Sequence, residues 1–263
     1  MRITFLGTGT SCGVPTIGCH CHTCSSTDPR DKRLRCSALV ETEQTRILID
    51  CGPDFRQQIL PMAFRKIDGV LVTHAHYDHV GGMDDLRPFC QFGAIDVYAN
   101  EQACSMLMQM MPYCFAEHRY PGVPAIGLHR IAKHQAMTIG DIDVMPVEVM
   151  HGRLPILGFR FTQASAKHHP APTFTYITDM KTIGDEELPF IEHTEVLVVN
   201  ALRYGEPHHS HQLVDDAISF ARRTDARRTL LIHSDHHIGR HEEVNSKLPE
   251  GIEMAFDGQQ IDI

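Results

Sequence analysis

The sequence lacks long hydrophobic runs, an excess of positive charge and an even number of cysteines. No apolar segment approaches the ~20 residues of a membrane-spanning helix, and residues 1–7 reach a glycine without the apolar core of a signal peptide. Lysine and arginine number 24 against 33 aspartates and glutamates, a net charge of −9. This balance argues against broad electrostatic binding to nucleic acids or anionic membranes. We expect a cytoplasmic protein that binds neither.

Cysteine and histidine are the informative residue types. Nine cysteines are an odd number for a reducing compartment, which favours metal ligation or burial over a disulfide framework. The 19 histidines are numerous, and histidine is the commonest metal ligand. Their clustering along the chain therefore decides what they do.

Strand-like and helix-like segments alternate along the whole chain. The strand-like segments are 3–6, 37–41, 46–49, 69–72, 95–98, 142–149, 158–161, 174–177, 195–199, 229–232 and 252–256. The helix-like segments are 54–60, 84–92, 101–111 after a predicted N-cap at Asn100, 185–193, 211–223 and 241–247. Asp257-Gly258 predicts a hairpin turn near the C-terminus. No linker divides the chain, so we expect residues 1–263 to form a single layered α/β domain.

The densest group of metal-ligand residues is Thr-His-Ala-His-Tyr-Asp-His, directly after the apolar segment 69–72. An extended backbone points His74 and His76 to one side, and a turn into a helix can bring Asp78 and His79 back towards them. Two neighbouring metal ions need this density of nitrogen and oxygen donors. A polar surface turn is the alternative, but the spacing and the preceding buried strand favour a dinuclear metal site.

This pattern resembles the HxHxDH signature of the metallo-β-lactamase superfamily, and the resemblance runs along nearly the whole chain. His151, Asp179 and His233 each follow an apolar strand, at the strand ends where α/β sheets gather ligand sites. The resemblance implies a four-layer αββα sandwich. It also implies that His74, His76 and His151 hold one metal, that Asp78, His79 and His233 hold the other, and that Asp179 bridges them.

Asp50 follows the strand 46–49. The resemblance implies that its carboxylate braces the metal-binding loops, since outer partners orient histidine ligands. A plain turn aspartate before Gly52-Pro53 is the alternative.

Three cysteines near the N-terminus, Cys19, Cys21 and Cys24, form a C-x-C-x-x-C pattern typical of a closed structural zinc site that takes its fourth ligand from elsewhere. Together with residues 7–15, this segment resembles the phosphoribosyl cyclic phosphate phosphodiesterases of the carbon-phosphorus lyase pathway. The resemblance implies that His236, three residues after the last active-site histidine, completes the zinc site. His237 and His20 compete for that role.

A third group lies in residues 204–213, ahead of a predicted helix. A histidine at a helix N-terminus can protonate or orient the leaving oxygen of a phosphodiester, and the resemblance gives this role to His211. We expect His208 and His209 to lie on a solvated loop. Residues 163–172 predict a further surface loop.

Two arginines are candidates for contact with a second phosphate. Arg203 precedes the histidine loop and Arg87 lies in the helix-like segment 84–92. Surface or structural ion pairs are the alternative for both.

The resemblance implies a phosphodiesterase in which a hydroxide between two divalent ions, Zn or Mn, attacks phosphorus. Asp78 and His211 would be its catalytic residues, and one structural Zn would stabilise the fold. The implied substrate is a small cyclic phosphodiester such as phosphoribosyl 1,2-cyclic phosphate, and a homodimer is consistent with the resemblance. The competing function is a tRNA 3′-processing endonuclease or another nuclease of the superfamily, which shares Asp78 and a histidine like His211. Nucleic-acid binding needs many phosphate contacts, so the net charge weighs against it.

Overall fold

Two seven-stranded sheets form the centre of the fold. The computed structural model describes residues 1–116, 118, 120–164 and 171–263. The strands of the first sheet are β1 (Arg2–Gly7), β2 (Ser37–Glu41), β3 (Arg46–Ile49), β4 (Gly69–Leu71), β5 (Ile95–Ala99), β6 (Ile126–Arg130) and β14 (Gln260–Asp262). Those of the second are β7 (Met137–Ile139), β8 (Ile142–His151), β9 (Leu154–Gln163), β10 (Thr173–Ile177), β11 (Val196–Asn200), β12 (Arg228–Ile232) and β13 (Ile252–Met254). The first sheet has the order β14-β1-β2-β3-β4-β5-β6, and the second has the order β13-β12-β11-β10-β9-β8-β7.

Helices connect the parallel strands. They are α1 (Phe55–Ile59), α2 (Tyr77–Val80), α3 (Glu101–Met110), α4 (Pro112–Phe115), α5 (Val214–Arg223) and α6 (His241–Asn245). The 3₁₀ segments are Pro29–Asp31, Met83–Phe92, Asp185–Phe190 and His236–Ile238. Asn100 caps α3 as predicted, because its side-chain oxygen accepts the Ala103 N–H at 2.8 Å. Within the described ranges, no helix is long and apolar enough to cross a membrane.

The hydrophobic core has three layers. Between the sheets, fully buried aromatic side chains from both sheets pack together, among them Phe5, Phe159, Phe161, Phe174 and Tyr176. A second cluster joins the outer face of the first sheet to α1 and α3, and a third joins the outer face of the second sheet to α5 and α6. The predicted four-layer αββα sandwich is therefore confirmed.

Several predicted elements differ from the structure. The segments 84–92 and 185–193 form 3₁₀ helices that contain Pro88 and Pro189, because proline removes a backbone donor from an α-helix. The predicted helix 211–223 begins only at Val214, so His211 is not at its N-terminus. The predicted hairpin at Asp257-Gly258 is also wrong, since β13 and β14 lie in different sheets. This last connection carries the chain from one sheet to the other.

Candidate metal centre

The donors lie at the ends of neighbouring strands, where the backbone conformation is unusual. Asp50, Asp179 and His233 follow β3, β10 and β12 with φ of 56°, 56° and 52°. This left-handed conformation costs ~1–3 kcal/mol for a residue other than glycine, and aspartate and histidine are among the side chains that tolerate it best. All three side chains are buried. Strain is thus accepted at the positions that direct polar groups into the site.

His74, His76 and His151 form the first donor group. One ring nitrogen from each lies within 4.8 Å of the others, and His74 Nε2 is 2.9 Å from His76 Nδ1. His151 Nδ1 lies 2.8 Å from the Asp179 carbonyl and 3.1 Å from the Ser210 carbonyl. Because Nδ1 donates to these carbonyls, Nε2 of His151 remains as the donor directed at the site.

Asp78, His79, Asp179 and His233 form the second donor group, again within 4.8 Å of one another. His79 Nε2 is 3.3 Å from Asp78 Oδ2 and 3.4 Å from Asp179 Oδ1, and His233 Nε2 is 3.2 Å from Asp179 Oδ1. Helix α2 starts at Tyr77, so its first turn returns Asp78 and His79 to the site. Asp179 lies between the two groups.

Asp50 lies behind the second group. Its buried carboxylate accepts hydrogen bonds from the Thr73 N–H and hydroxyl at 2.8 Å each, and it lies 2.7 Å from His79 Nδ1. This contact orients the His79 ring and directs Nε2 towards the other donors. The geometry fits a brace better than a plain turn aspartate. The sequence did not predict a role for Thr73, because a threonine at a strand end is not distinctive.

The charges in the second group favour a cation. Burial alone would raise the pKa of Asp179, but His233 and His79 hold it well below its usual range. Burial opposes the charged form of His79, yet Asp179 and Asp50 raise the pKa of this imidazole well above its usual range. The carboxylates therefore stabilise positive charge at this position.

Buried ring nitrogens without hydrogen-bond partners indicate whether metal ions fit the site. His79 Nε2 and both ring nitrogens of His233 are buried and form no hydrogen bond in the described structure, although carboxylate oxygens lie 3.2–3.4 Å from His79 Nε2 and His233 Nε2. Buried nitrogens of this kind normally have a partner, and imidazole with carboxylate suits Zn or Mn. The residues present thus fit two divalent cations, and the seven-residue ligand set stays a prediction.

His211 lies beside both donor groups. Its ring centroid is 4.7 Å from that of His151 and 4.8 Å from that of His233, and its buried Nδ1 has no hydrogen-bond partner among the residues that the structure describes. Burial lowers the pKa of His211 to about 3. His208 is half-buried and stacks on His211 at 4.9 Å, unlike the solvated loop residue expected, whereas His209 is exposed.

Cys19, Cys21, Cys24 and His236 form a separate cluster, with ligand atoms within 4.8 Å of one another. His236 Nδ1 is 3.2 Å from Cys21 Sγ and 3.5 Å from Cys19 Sγ. The Cys24 N–H and His236 lower the pKa of Cys21 to about 6, which favours the thiolate that zinc requires. The competitors His237 and His20 are exposed and lie outside this cluster.

The two candidate arginines form ion pairs. Arg203 donates to Asp235 at 2.8 Å, and Arg87 donates to Asp84 at 2.7 Å on an exposed surface. Their contact with a second phosphate stays a prediction. The predicted loop 163–172 falls mostly outside the described residues, because 165–170 are not described.

Comparisons with known proteins agree with this geometry. Residues 45–234 match the β-lactamase superfamily domain. The chain is 40% identical over 259 residues to an octanoyltransferase of Porphyromonas gingivalis, covering 98% of this chain and 51% of that protein. It is 29% identical over 156 residues to ribonuclease Z of Bradyrhizobium diazoefficiens, covering 56% of this chain and 50% of that protein. The chain thus spans about half the length of the curated relatives it matches.

Solved structures extend the comparison. The crystal structure of a new diphosphatase from the PhnP family aligns with a TM-score of 0.88 and 37% identity, covering 99% of this chain and 97% of that one. Zinc-bound PqqB of Methylobacterium extorquens aligns over 100% of both chains with a TM-score of 0.82, but its 18% identity supports the fold alone.

The chain therefore belongs to the metallo-β-lactamase superfamily and, within it, to the PhnP family. The fold implies divalent metal ions, and the clustered histidines and aspartates are compatible with a metal site. The resemblance stated from the sequence is confirmed.

Proposed function

We propose that this protein is a metal-dependent phosphodiesterase that acts on a small cyclic phosphodiester such as phosphoribosyl 1,2-cyclic phosphate. The observation that carries the proposal is the pair of donor groups that meet at Asp179, with His211 beside both. Two metal sites that share a carboxylate suit in-line attack on a phosphorus with two ester bonds.

Each residue has a distinct part in this proposal. His74, His76 and His151 would hold one divalent ion, and Asp78, His79 and His233 the other, with Asp179 between them. When bound, such ions supply Lewis acidity and lower the pKa of coordinated water. Asp50 holds the His79 ring in position. Asp78 contributes a negatively charged carboxylate to the second donor group. His211 would donate a hydrogen bond to the leaving oxygen from a neutral imidazole, because burial lowers its pKa to about 3.

Hydrolysis of a diphosphate is a second candidate. The related structure that is 37% identical is described as a diphosphatase. In a diphosphate diester each phosphorus also carries two substituted oxygens, one in an ester and one in the anhydride bridge. The same donors can therefore serve both reactions.

A substrate panel tests the proposal. The protein is assayed with phosphoribosyl 1,2-cyclic phosphate, bis(p-nitrophenyl) phosphate, a diphosphate diester, a precursor tRNA and a β-lactam. We expect hydrolysis of the cyclic diester with the highest kcat/KM. A preference for the diphosphate would select the second candidate, and cleavage of precursor tRNA alone would select the nuclease.

Asp179→Asn tests the role of the Asp179 carboxylate, and the backbone should be kept because asparagine also tolerates the left-handed conformation. Loss of this bridging carboxylate should lower kcat/KM about a hundredfold or more. Asp225→Asn is the control, because Asp225 also has a positive φ, of 50°, and is exposed. Equal activity of the two variants would contradict the proposed site. A homodimer and a cytoplasmic location remain predictions.

A further inference from the structure

A small cavity adjoins the first donor group on the side of helix α3. It has a volume of about 190 Å³, and His74 and His76 form one wall. Gln102 and Met106 of α3 form a second wall, and Leu154 and Pro155 close the third. We call this cavity the α3 pocket. A molecule held by the first donor group has direct access to it.

The walls of the α3 pocket are fixed by hydrogen bonds. Asn100, which also lines the pocket, accepts the Ala103 N–H at 2.8 Å and donates to the Pro155 carbonyl at 3.5 Å. One side chain thus connects the start of α3 to the start of β9. The pocket is preformed, and a preformed site loses less free energy on binding than one that must order itself.

The surfaces of the pocket are mainly apolar. Met106, Leu154, Pro155 and Ala75 contribute carbon surface, and Met106 is 36% exposed. Gln102 lines the pocket and is exposed, and its side-chain amide has no hydrogen-bond partner among the described residues. An apolar wall with one free amide is suited to a ring that carries hydroxyl or carbonyl groups.

The volume of the α3 pocket limits the size of the ligand. Sites for drug-sized molecules measure ~300–1,000 Å³, so 190 Å³ suits one ring and not a polymer. We propose that the α3 pocket receives the organic part of the substrate, a single sugar- or base-sized ring attached to the phosphate. This inference rests on the proposed phosphodiesterase function and specifies its substrate class.

Gln102→Trp tests the inference, because the exposed position tolerates a large side chain that would fill the pocket. Two probes are compared, thymidine 5′-(p-nitrophenyl) phosphate and methyl p-nitrophenyl phosphate. Both release p-nitrophenolate, but only the first carries a ring on its other ester oxygen. We expect KM for the thymidine ester to rise about tenfold or more, and KM for the methyl ester to change less than twofold.

Gln109→Trp is the matched control. Gln109 is an exposed glutamine on the same face of α3, ~10 Å further along the helix, and its substitution should change neither probe. Met106→Ala, which enlarges the pocket, should alter KM for the thymidine ester alone. An equal loss on both probes in Gln102→Trp, or no loss on either, would overturn the inference while leaving the phosphodiesterase intact. Failure of the unaltered protein to hydrolyse any diester would overturn the proposed function and the inference together.

Discussion

His211 is the side chain whose role is most open to a direct test. It contacts His151, His233 and His208 through its ring, and one of its ring nitrogens lies within 4.8 Å of donor atoms of His151 and Asp179, although His211 belongs to neither of the two donor groups described above. His211→Ala should keep both metals and most substrate affinity. It should lower kcat by about 10²–10⁴-fold for diesters with poor leaving groups. The loss should shrink for p-nitrophenolate, which leaves as an anion without help.

His209→Ala is the control, because His209 is exposed and lies two residues from His211 in the same loop. The measurement is kcat and KM for both classes of leaving group in each variant. A loss of the same size on both classes would mean that His211 binds the phosphate and does not assist the leaving group.

The predictability of single residues depended on spacing. Asp78 and His79 could be found because they belong to a dense motif, and His151 and Asp179 because they follow apolar strands. The Thr73 hydroxyl lies 3.1 Å from His74 Nδ1 and the Ser210 carbonyl lies 3.1 Å from His151 Nδ1, but neither residue belongs to such a pattern. Their role depends on which backbone and side-chain atoms the fold brings together, and a sequence does not show that.

The cysteine cluster joins two distant segments of the chain. Cys21 lies in the N-terminal loop, and His236 begins a 3₁₀ segment that follows β12. The fully buried Arg33 makes a second connection, because it donates to the Asp235 carbonyl at 3.0 Å and the Gly239 carbonyl at 2.9 Å. The loop that follows His233 is thus held from two sides.

Cys21→Ser should therefore lower thermal stability more than specific activity. A closed thiolate site leaves no coordination position for substrate, and its metal contributes to folding. The measurements are Tm and the kcat of the folded fraction, with Cys12→Ser as control because Cys12 is exposed and outside the cluster. An unchanged Tm with a lost kcat would assign the cluster to catalysis.

The connection between β13 and β14 carries a buried carboxylate. Asp257 accepts the Thr8 hydroxyl at 2.7 Å and the Leu34 N–H at 2.6 Å. Burial raises the pKa of Asp257 to about 7 despite these hydrogen bonds. Because the folded pKa lies above the unfolded value of ~3.9, the contribution to stability is complete below pH ~4. It is lost as the pH rises through about 7.

Asp257→Asn should remove this pH dependence, since a neutral amide can still accept from Leu34 and donate to Thr8. The free energy of unfolding of the variant relative to the unaltered protein should rise between pH 5 and pH 7. The slope is at most ~1.4 kcal/mol per pH unit for one proton. Urea unfolding at several pH values measures it, and parallel curves for the two proteins would contradict the expected titration.

Elements with strong patterns were predicted well. The strand Arg46–Ile49 and the start of α3 after Asn100 agree with the structure, because an apolar run and a capping side chain are local signals. Strands β6, β7 and β14 were not predicted; all three are edge strands, and β7 and β14 have only three residues each. Their pairing is decided by the neighbouring strand and not by their own sequence.

At the scale of the whole molecule, the donors come from both sheets. His74, His76, Asp78 and His79 follow β4 of the first sheet, whereas His151 ends β8 and Asp179 and His233 follow β10 and β12, all strands of the second sheet. Metal removal should therefore lower Tm, because only the folded arrangement binds both ions. The measurement compares Tm of the Cys21→Ser variant after treatment with a chelator and after loading with metal. The Cys21→Ser substitution removes the contribution of the cysteine cluster to the difference. An identical Tm in the two states would contradict a site built from both sheets.

The packing of the aromatic layer between the sheets and the binding of metal ions are thermodynamically linked. If the ions bind only while the sheets are in contact, the ions and the contact stabilise each other by the same free energy. Phe161 is fully buried in that layer and stacks on Phe174 at 5.4 Å between ring centroids. A smaller side chain there would weaken metal binding wherever it allows the sheets to separate. The affinity for the ions would then report how well the two halves of the protein fit together.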